Sequence, residues 1–139
     1  MSDCVFCKII TKEIPAAIVY EDEQVMAFLD MKPVNPGHVL VVPKTHVADL
    51  LSAQDAELEA SIRVVQRVGK ALVAGLGVRG FNLGVNTGAV AGQVVPHLHF
   101  HVMPRHEGDG LELWHGKPYA SDEEKEKTAE TIRAAFRVL

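Results

Sequence analysis

Val95-Pro96-His97-Leu98-His99-Phe100-His101-Val102 is the stretch on which the fold turns. From His97 onward polar and apolar residues alternate strictly. Successive side chains on a β-strand point to opposite faces. His97, His99 and His101 therefore share one face, while Leu98, Phe100 and Val102 share the other and require a core beneath them. Alternate residues lie ~6.6–6.8 Å apart along a strand, so the three imidazoles form a row. The pattern predicts a strand over residues 95–103.

Working outward, residues 18–20 and 25–29 read as two strands joined by the polar turn Glu21-Asp22-Glu23-Gln24. Pro33-Val34-Asn35-Pro36-Gly37 is a loop, because two prolines and a glycine cannot propagate a helix or a ladder. Residues 38–42 form a valine-rich strand. A long helix is predicted over residues 53–74, with Leu58, Ile62, Val65 and Leu72 as its buried stripe. Ser52 is its expected cap, with Asp55 three residues on, and Gly75 and Gly77 stop it. Residues 80–86 read as a strand and residues 87–93 as a small-residue loop. Ser121 caps a last helix, with Glu124 in the capping-box position and Arg133 and Arg137 near its far end. Five strands with short links imply an antiparallel sheet, hence an α+β fold.

The 139 residues make one domain, large enough for a core without disulfides. Composition is that of an ordinary globular chain, with 47% hydrophobic and 23% charged residues. The net charge of −4 argues against a general nucleic-acid binder, which would carry a basic stripe. No apolar run reaches the ~18 residues of a membrane span, and the N-terminus lacks the pattern of a secretory signal, so a cytoplasmic protein is expected.

Three of the seven histidines fall within residues 97–101. Such a row can ligate a metal, or it can attack a phosphorus centre and donate to phosphoryl oxygens. Its bland alternative is a solvated polar face. The loop Gly88-Ala89-Val90-Ala91-Gly92-Gln93 leads into the row, and glycine turns let backbone N–H groups approach an anion. Cys4 and Cys7 have the spacing of half a zinc site. A thioredoxin-like redox pair belongs between a strand and a helix and fits this terminal position poorly. Two ordinary thiols are the remaining reading.

These residues together resemble the histidine triad, or HIT, family, and within it the bacterial-type, Hint-like members. The resemblance rests on His97-x-His99-x-His101, Cys4-x-x-Cys7-Lys8-Ile9-Ile10, Asp30 followed by Pro33, Gly37-His38-Val39 through Lys44 with His46, and Asn86 before Gly92-Gln93. It spans a motif-bearing core over residues 3–105, with a helical tail over residues 111–139, all within one HIT domain. It implies a five-stranded antiparallel sheet with one long helix and a C-terminal helix, assembled as a homodimer. The implied activity is nucleotide hydrolysis or transfer at an α-phosphate through a covalent nucleotidyl-histidine. The substrates implied are purine nucleoside phosphoramidates or dinucleoside polyphosphates. No nucleic-acid or membrane partner is expected, and no metal is required for the chemistry.

By the same resemblance His99 is the nucleophile, His101 bonds the phosphate or leaving group, and His38 supports the triad. Asn86, Gln93 and the Gly92 backbone hold phosphate oxygens, and Asp30 takes the ribose hydroxyls. Val5, Phe6, Ile9, Phe28 and Met31 sandwich the base, although read singly Phe6, Ile9 and Phe28 are core residues. Structural zinc falls to Cys4, Cys7, His46 and His97. His99 needs an acceptor at its other ring nitrogen, for which a backbone carbonyl is suited. One departure is Val94, where many relatives carry Ser or Thr. Two other classes remain open: a nucleotide-binding regulatory module with little turnover, and a zinc-stabilised scaffold. Trp114 is expected in a core.

Overall fold

The structure, a computed structural model, describes residues 3–139. The chain forms two compact units, one ending at Asp109 and the other spanning Gly110–Leu139. The first holds helix α1 (Val5–Ile10), strands β1 (Ile18–Glu21), β2 (Val25–Leu29) and β3 (Val39–Pro43), helix α2 (Asp55–Leu76), and strands β4 (Gly80–Gly84) and β5 (Phe100–Arg105). A single 3-10 turn covers Ala89–Ala91. The second unit carries α3 (Asp122–Phe136). The five strands form one antiparallel sheet in the order β1-β2-β3-β5-β4.

The sheet is covered on both faces. Val25, Ala27, Val39, Val41, Phe100 and Val102 pack with Val64, Val65, Val68 and Leu72 of α2. Met26, Phe28, Leu40 and Val42, which alternate with them, pack with Phe6 and Ile9 of α1. All five β3 residues are buried, which is why β3 reads as an unbroken apolar run. The short α1 was not anticipated: six residues are too few to show a periodic stripe. It starts at Cys4, whose sulfur accepts from the Cys7 N–H at 3.3 Å.

Helix α2 starts two residues later than expected. Ser52 bonds Asp49 instead of capping the helix, and Gln54 and Glu57 form the capping box. Its buried stripe is Ser61, Val64, Val65, Val68, Gly69 and Leu72. Ile62 faces out, one position off the stripe, with 47% of its surface exposed. Gly77, with φ +67°, ends the helix. Ser121 caps α3 through Glu124 N, as its sequence predicts, but no α3 residue is buried. Trp114 is exposed and forms no core, contrary to expectation. Among the described residues no helix is long and apolar enough to cross a membrane.

The histidine stretch departs most from expectation. Only Phe100–Arg105 is strand. Residues 95–99 lie instead against the end of β3 and the irregular segment that follows it. Leu98 N donates to Val47 O at 2.8 Å, and the His97 ring pairs with Pro43 O at 2.8 Å. A segment without regular extended geometry cannot extend the ladder, so β5 begins late. The alternation survives: Leu98, Phe100 and Val102 enter the α2-side core. His101 lies opposite Leu40, so it shares the α1-side face.

Candidate active site and metal cluster

His99 is buried, with its ring edge-on to Phe6 at a centroid distance of 5.0 Å and to His101 at 5.0 Å. Its Nδ1 lies 2.7 Å from His97 O. A carbonyl can only accept, so Nδ1 carries a proton, and in the neutral ring the lone pair is then at Nε2. The partner of Nδ1 is a backbone carbonyl, as the sequence suggested.

A second tautomer chain starts in the proline loop. Val34 N donates to His38 Nδ1 at 3.2 Å. His38 therefore holds its proton on Nε2 and donates to His101 Nδ1 at 2.9 Å. That leaves the His101 proton on Nε2. Burial pushes His101 down to about 4, with the neighbouring His99 and His38 adding to the effect and Asp30 opposing it. Burial also pushes His38 down, against the pull of Asp30. Asp30 Oδ2 lies 3.6 Å from His38 Nε2, while Oδ1 accepts from Lys32 N at 2.8 Å. The carboxylate thus both shapes the turn and faces the relay. Asp30, His38 and His101 lie close enough together to suggest a metal site. The Val34 hydrogen bond speaks against it, because it puts the proton on the His38 nitrogen a metal would need.

Cys4, Cys7, His46 and His97 converge, their donor atoms all within 4.8 Å of one another. Cys4 Sγ lies 3.4 Å and Cys7 Sγ 3.6 Å from His97 Nδ1, and Cys7 Sγ lies 3.3 Å from His46 Nδ1. Around a tetrahedral zinc, bonds of ~2.3 Å to sulfur and ~2.0–2.1 Å to nitrogen put such atoms ~3.6 Å apart. His97 Nε2–H donates to Pro43 O, so Nδ1 faces the sulfurs unprotonated, as a ligand must. Burial pushes His97 down, which favours its neutral form. Burial, then the hydrogen bond and charge of Cys4, pushes the Cys7 thiol up. A bound cation would reverse that, because the thiolate is the ligand form. The donor set therefore fits a closed, four-ligand metal site.

Other expected site residues are placed differently. Phe6, Ile9 and Phe28 are each no more than 7% exposed and belong to the core. Phe6 stacks edge-on against Phe28, His97 and His99. Val5, Leu29 and Met31 are the exposed apolar side chains nearby in sequence. Asn86 Nδ2 donates to Gly92 O at 3.3 Å. Gly92 N bonds Ala89 O at 3.0 Å, so its N–H is directed into the loop and not toward an anion. Gln93 is also occupied. Its Oε1 accepts from Gly88 N, and its Nε2 donates to Ala48 O and Val95 O. The sequence gives no sign of these internal bonds, since the same glycines suit an open or a closed turn. Val94 is almost fully exposed.

The sheet, the two histidine chains and the cysteine cluster define a protein class that the comparisons with known proteins identify. Residues 11–108 match the HIT domain, and the chain belongs to that family. It is 53% identical over 107 residues to an uncharacterised HIT-like protein of Methanocaldococcus jannaschii, covering 77% of this chain and 82% of that one. It is 43% identical over 110 residues to the adenylylsulfatase HINT3 of Arabidopsis thaliana, covering 79% of this chain and 56% of that longer protein. A zinc-bound histidine triad protein from Mycobacterium smegmatis has the same fold, with a TM-score of 0.77 and 35% identity over 96% of this chain and 98% of that one.

Proposed function

We propose that the chain is a nucleotide hydrolase or transferase acting at an α-phosphate through nucleotidyl-His99. The observation that carries the reading is the His99 Nδ1 to His97 O bond, which leaves Nε2 available for attack. In the first step the Nε2 lone pair forms a bond to phosphorus and the bond to the leaving group breaks. In the second, water forms the new bond to phosphorus, the P–N bond breaks, and a nucleoside monophosphate leaves. Two displacements replace one harder step. His101 Nε2–H is the donor to the phosphate or leaving group, held in that tautomer by His38. Asn86 is the further polar side chain for the phosphate. Asp30 is the acceptor for the ribose hydroxyls, and the base lies over the edge of the Phe6, Ile9 and Phe28 floor.

Adenylyl sulfate, a mixed phosphate–sulfate anhydride implied by the name of the Arabidopsis relative, belongs to the same class as phosphoramidates and dinucleoside polyphosphates. Each offers an α-phosphorus with a leaving group. We also propose that Cys4, Cys7, His46 and His97 hold zinc. With no position left for substrate, such an ion supplies stability and not Lewis-acid chemistry. Exposed apolar side chains such as Ile62, Val73 and Leu76 on α2 are what a second copy would cover in a homodimer, and sedimentation tests that assembly.

The test is AMP release from adenosine phosphoramidate by the wild type and by His99→Ala, with intact-mass analysis. Turnover abolished by the substitution, with an AMP adduct only on the wild type, is expected. A folded wild type that binds AMP without turning over any of these three substrate types would point to a regulatory binding module.

A further inference from the structure

The last residue of β3 and the segment that follows it do more than supply His46. Their carbonyls accept three hydrogen bonds from the polypeptide that leads into the histidine row. Pro43 O takes His97 Nε2–H at 2.8 Å, Val47 O takes Leu98 N–H at 2.8 Å, and Ala48 O takes Gln93 Nε2–H at 2.8 Å. The Gln93 side chain then reaches the other way. Its Oε1 accepts from Gly88 N at 3.0 Å, at the entrance of the glycine loop. Its second Nε2–H goes to Val95 O at 3.1 Å. One amide thus ties together the metal-cluster segment, the entry to the histidine row and the loop that starts at Gly88. A primary amide has two N–H donors, and both are engaged here, so none remains for a phosphate oxygen.

We propose that Gln93 is a positioning residue that couples the Cys4, Cys7, His46 and His97 cluster to the glycine loop, and that it does not touch the nucleotide. Metal held by the cluster fixes His46. The segment bearing His46 fixes Gln93 through Ala48, and Gln93 fixes Gly88. Linkage is reciprocal: if metal orders the loop whose Gly92 carbonyl holds Asn86, the side chain proposed for the phosphate, nucleotide must tighten metal binding by the same factor, which shows as slower release at an unchanged association rate. The loop-ordering part stands on the hydrogen bonds alone. The nucleotide part rests on the function proposed above.

The experiment uses the zinc-loaded full chain in wild-type, Gln93→Glu and Gln93→Met forms. The Glu variant keeps the acceptor for Gly88 and loses both donors. The Met variant keeps the shape and loses all three bonds. Hydrogen exchange at the Gly88 amide is read without ligand, and zinc release to a chromogenic chelator is read without AMP and at saturating AMP. Gly88 exchange should accelerate roughly tenfold in Gln93→Met, the scale of one lost hydrogen bond. AMP should slow zinc release from the wild type at least ~5-fold, and this effect should vanish in both variants. Unchanged Gly88 exchange in Gln93→Met overturns the clamp. Slowing by AMP that persists in both variants, even where their AMP affinity falls, overturns the coupling and returns Gln93 to direct phosphate contact. A wild type that does not bind AMP refutes the proposed function, while the exchange result still decides the clamp.

Discussion

His101 shows how a single environment fixes chemistry. An imidazole titrates near ~6.5 in an unfolded chain, whereas burial holds this one at about 4. Between those values the unfolded chain binds more protons than the folded one. Stability from this group is therefore complete above pH ~6.5 and is lost as pH falls toward 4. Urea midpoints measured from pH 7.5 to 4.5 should fall through that window, and fall less in His101→Asn. A midpoint that stays flat would mean that His101 is not held neutral. His38 acts on the same ring through its Nε2–H. In His38→Ala, His101 loses the partner that selects its tautomer, so kcat should drop roughly 10²-fold with a smaller change in KM. An equal loss in Tm-matched controls that leave His38 intact would argue for mere destabilisation.

At the scale of elements, the sequence was most informative where one residue's period decides its face. The alternation of His97, His99 and His101 against Leu98, Phe100 and Val102 placed two faces correctly even where the backbone is not strand. What it could not show was the partner of residues 93–99, because Pro43, Val47 and Ala48 act through backbone carbonyls that leave no mark on residue type. Helix α1 was hidden by its length, and the closed loop by bonds from Gln93 and Gly92. The turn before β3 was legible as Pro-Gly, but its tightness was not. Gly37 has φ +97°, and a Cβ there would sit 2.7 Å from Leu76 Cδ1 and 3.3 Å from Pro104 Cγ. Gly37→Ala should therefore cost about 1–2 kcal/mol, chiefly from the left-handed backbone, since the exposed tip of Leu76 can swing aside. Denaturant unfolding checks this, and a loss below ~0.5 kcal/mol would mean that the turn relaxes freely. The four cluster ligands come from three places, α1 and its cap, the segment after β3, and the approach to β5. A metal held there would tie α1 to the sheet. With free metal at a thousandfold over Kd, chelation should remove ~4 kcal/mol of stability, read as a lower Tm that zinc restores.

At the scale of the whole molecule, the residues named in the proposed chemistry all precede the division at Asp109. Every strand, both core clusters, the two histidine chains and the cysteine cluster lie in the first unit. That unit ends with its own lock: Arg105 pairs with Asp109 through both carboxylate oxygens, at 2.8 and 3.0 Å, and Asn35 donates to Asp109 and to Pro104 O. Helix α3 buries none of its residues, and Trp114, Ile132 and Phe136 are exposed. A helix with no buried face adds little to the stability of a monomer, since most helical stability comes from packing an apolar face. A chain truncated after Asp109 should therefore fold, bind one equivalent of zinc, and melt within a few degrees of the full chain when both are monomeric. The comparison is made at low protein concentration, with sedimentation run alongside. Should the truncated chain melt far lower at every concentration, the second unit contributes to the fold of the first. A gap that opens only as concentration rises would instead assign those exposed side chains to the contact between two copies.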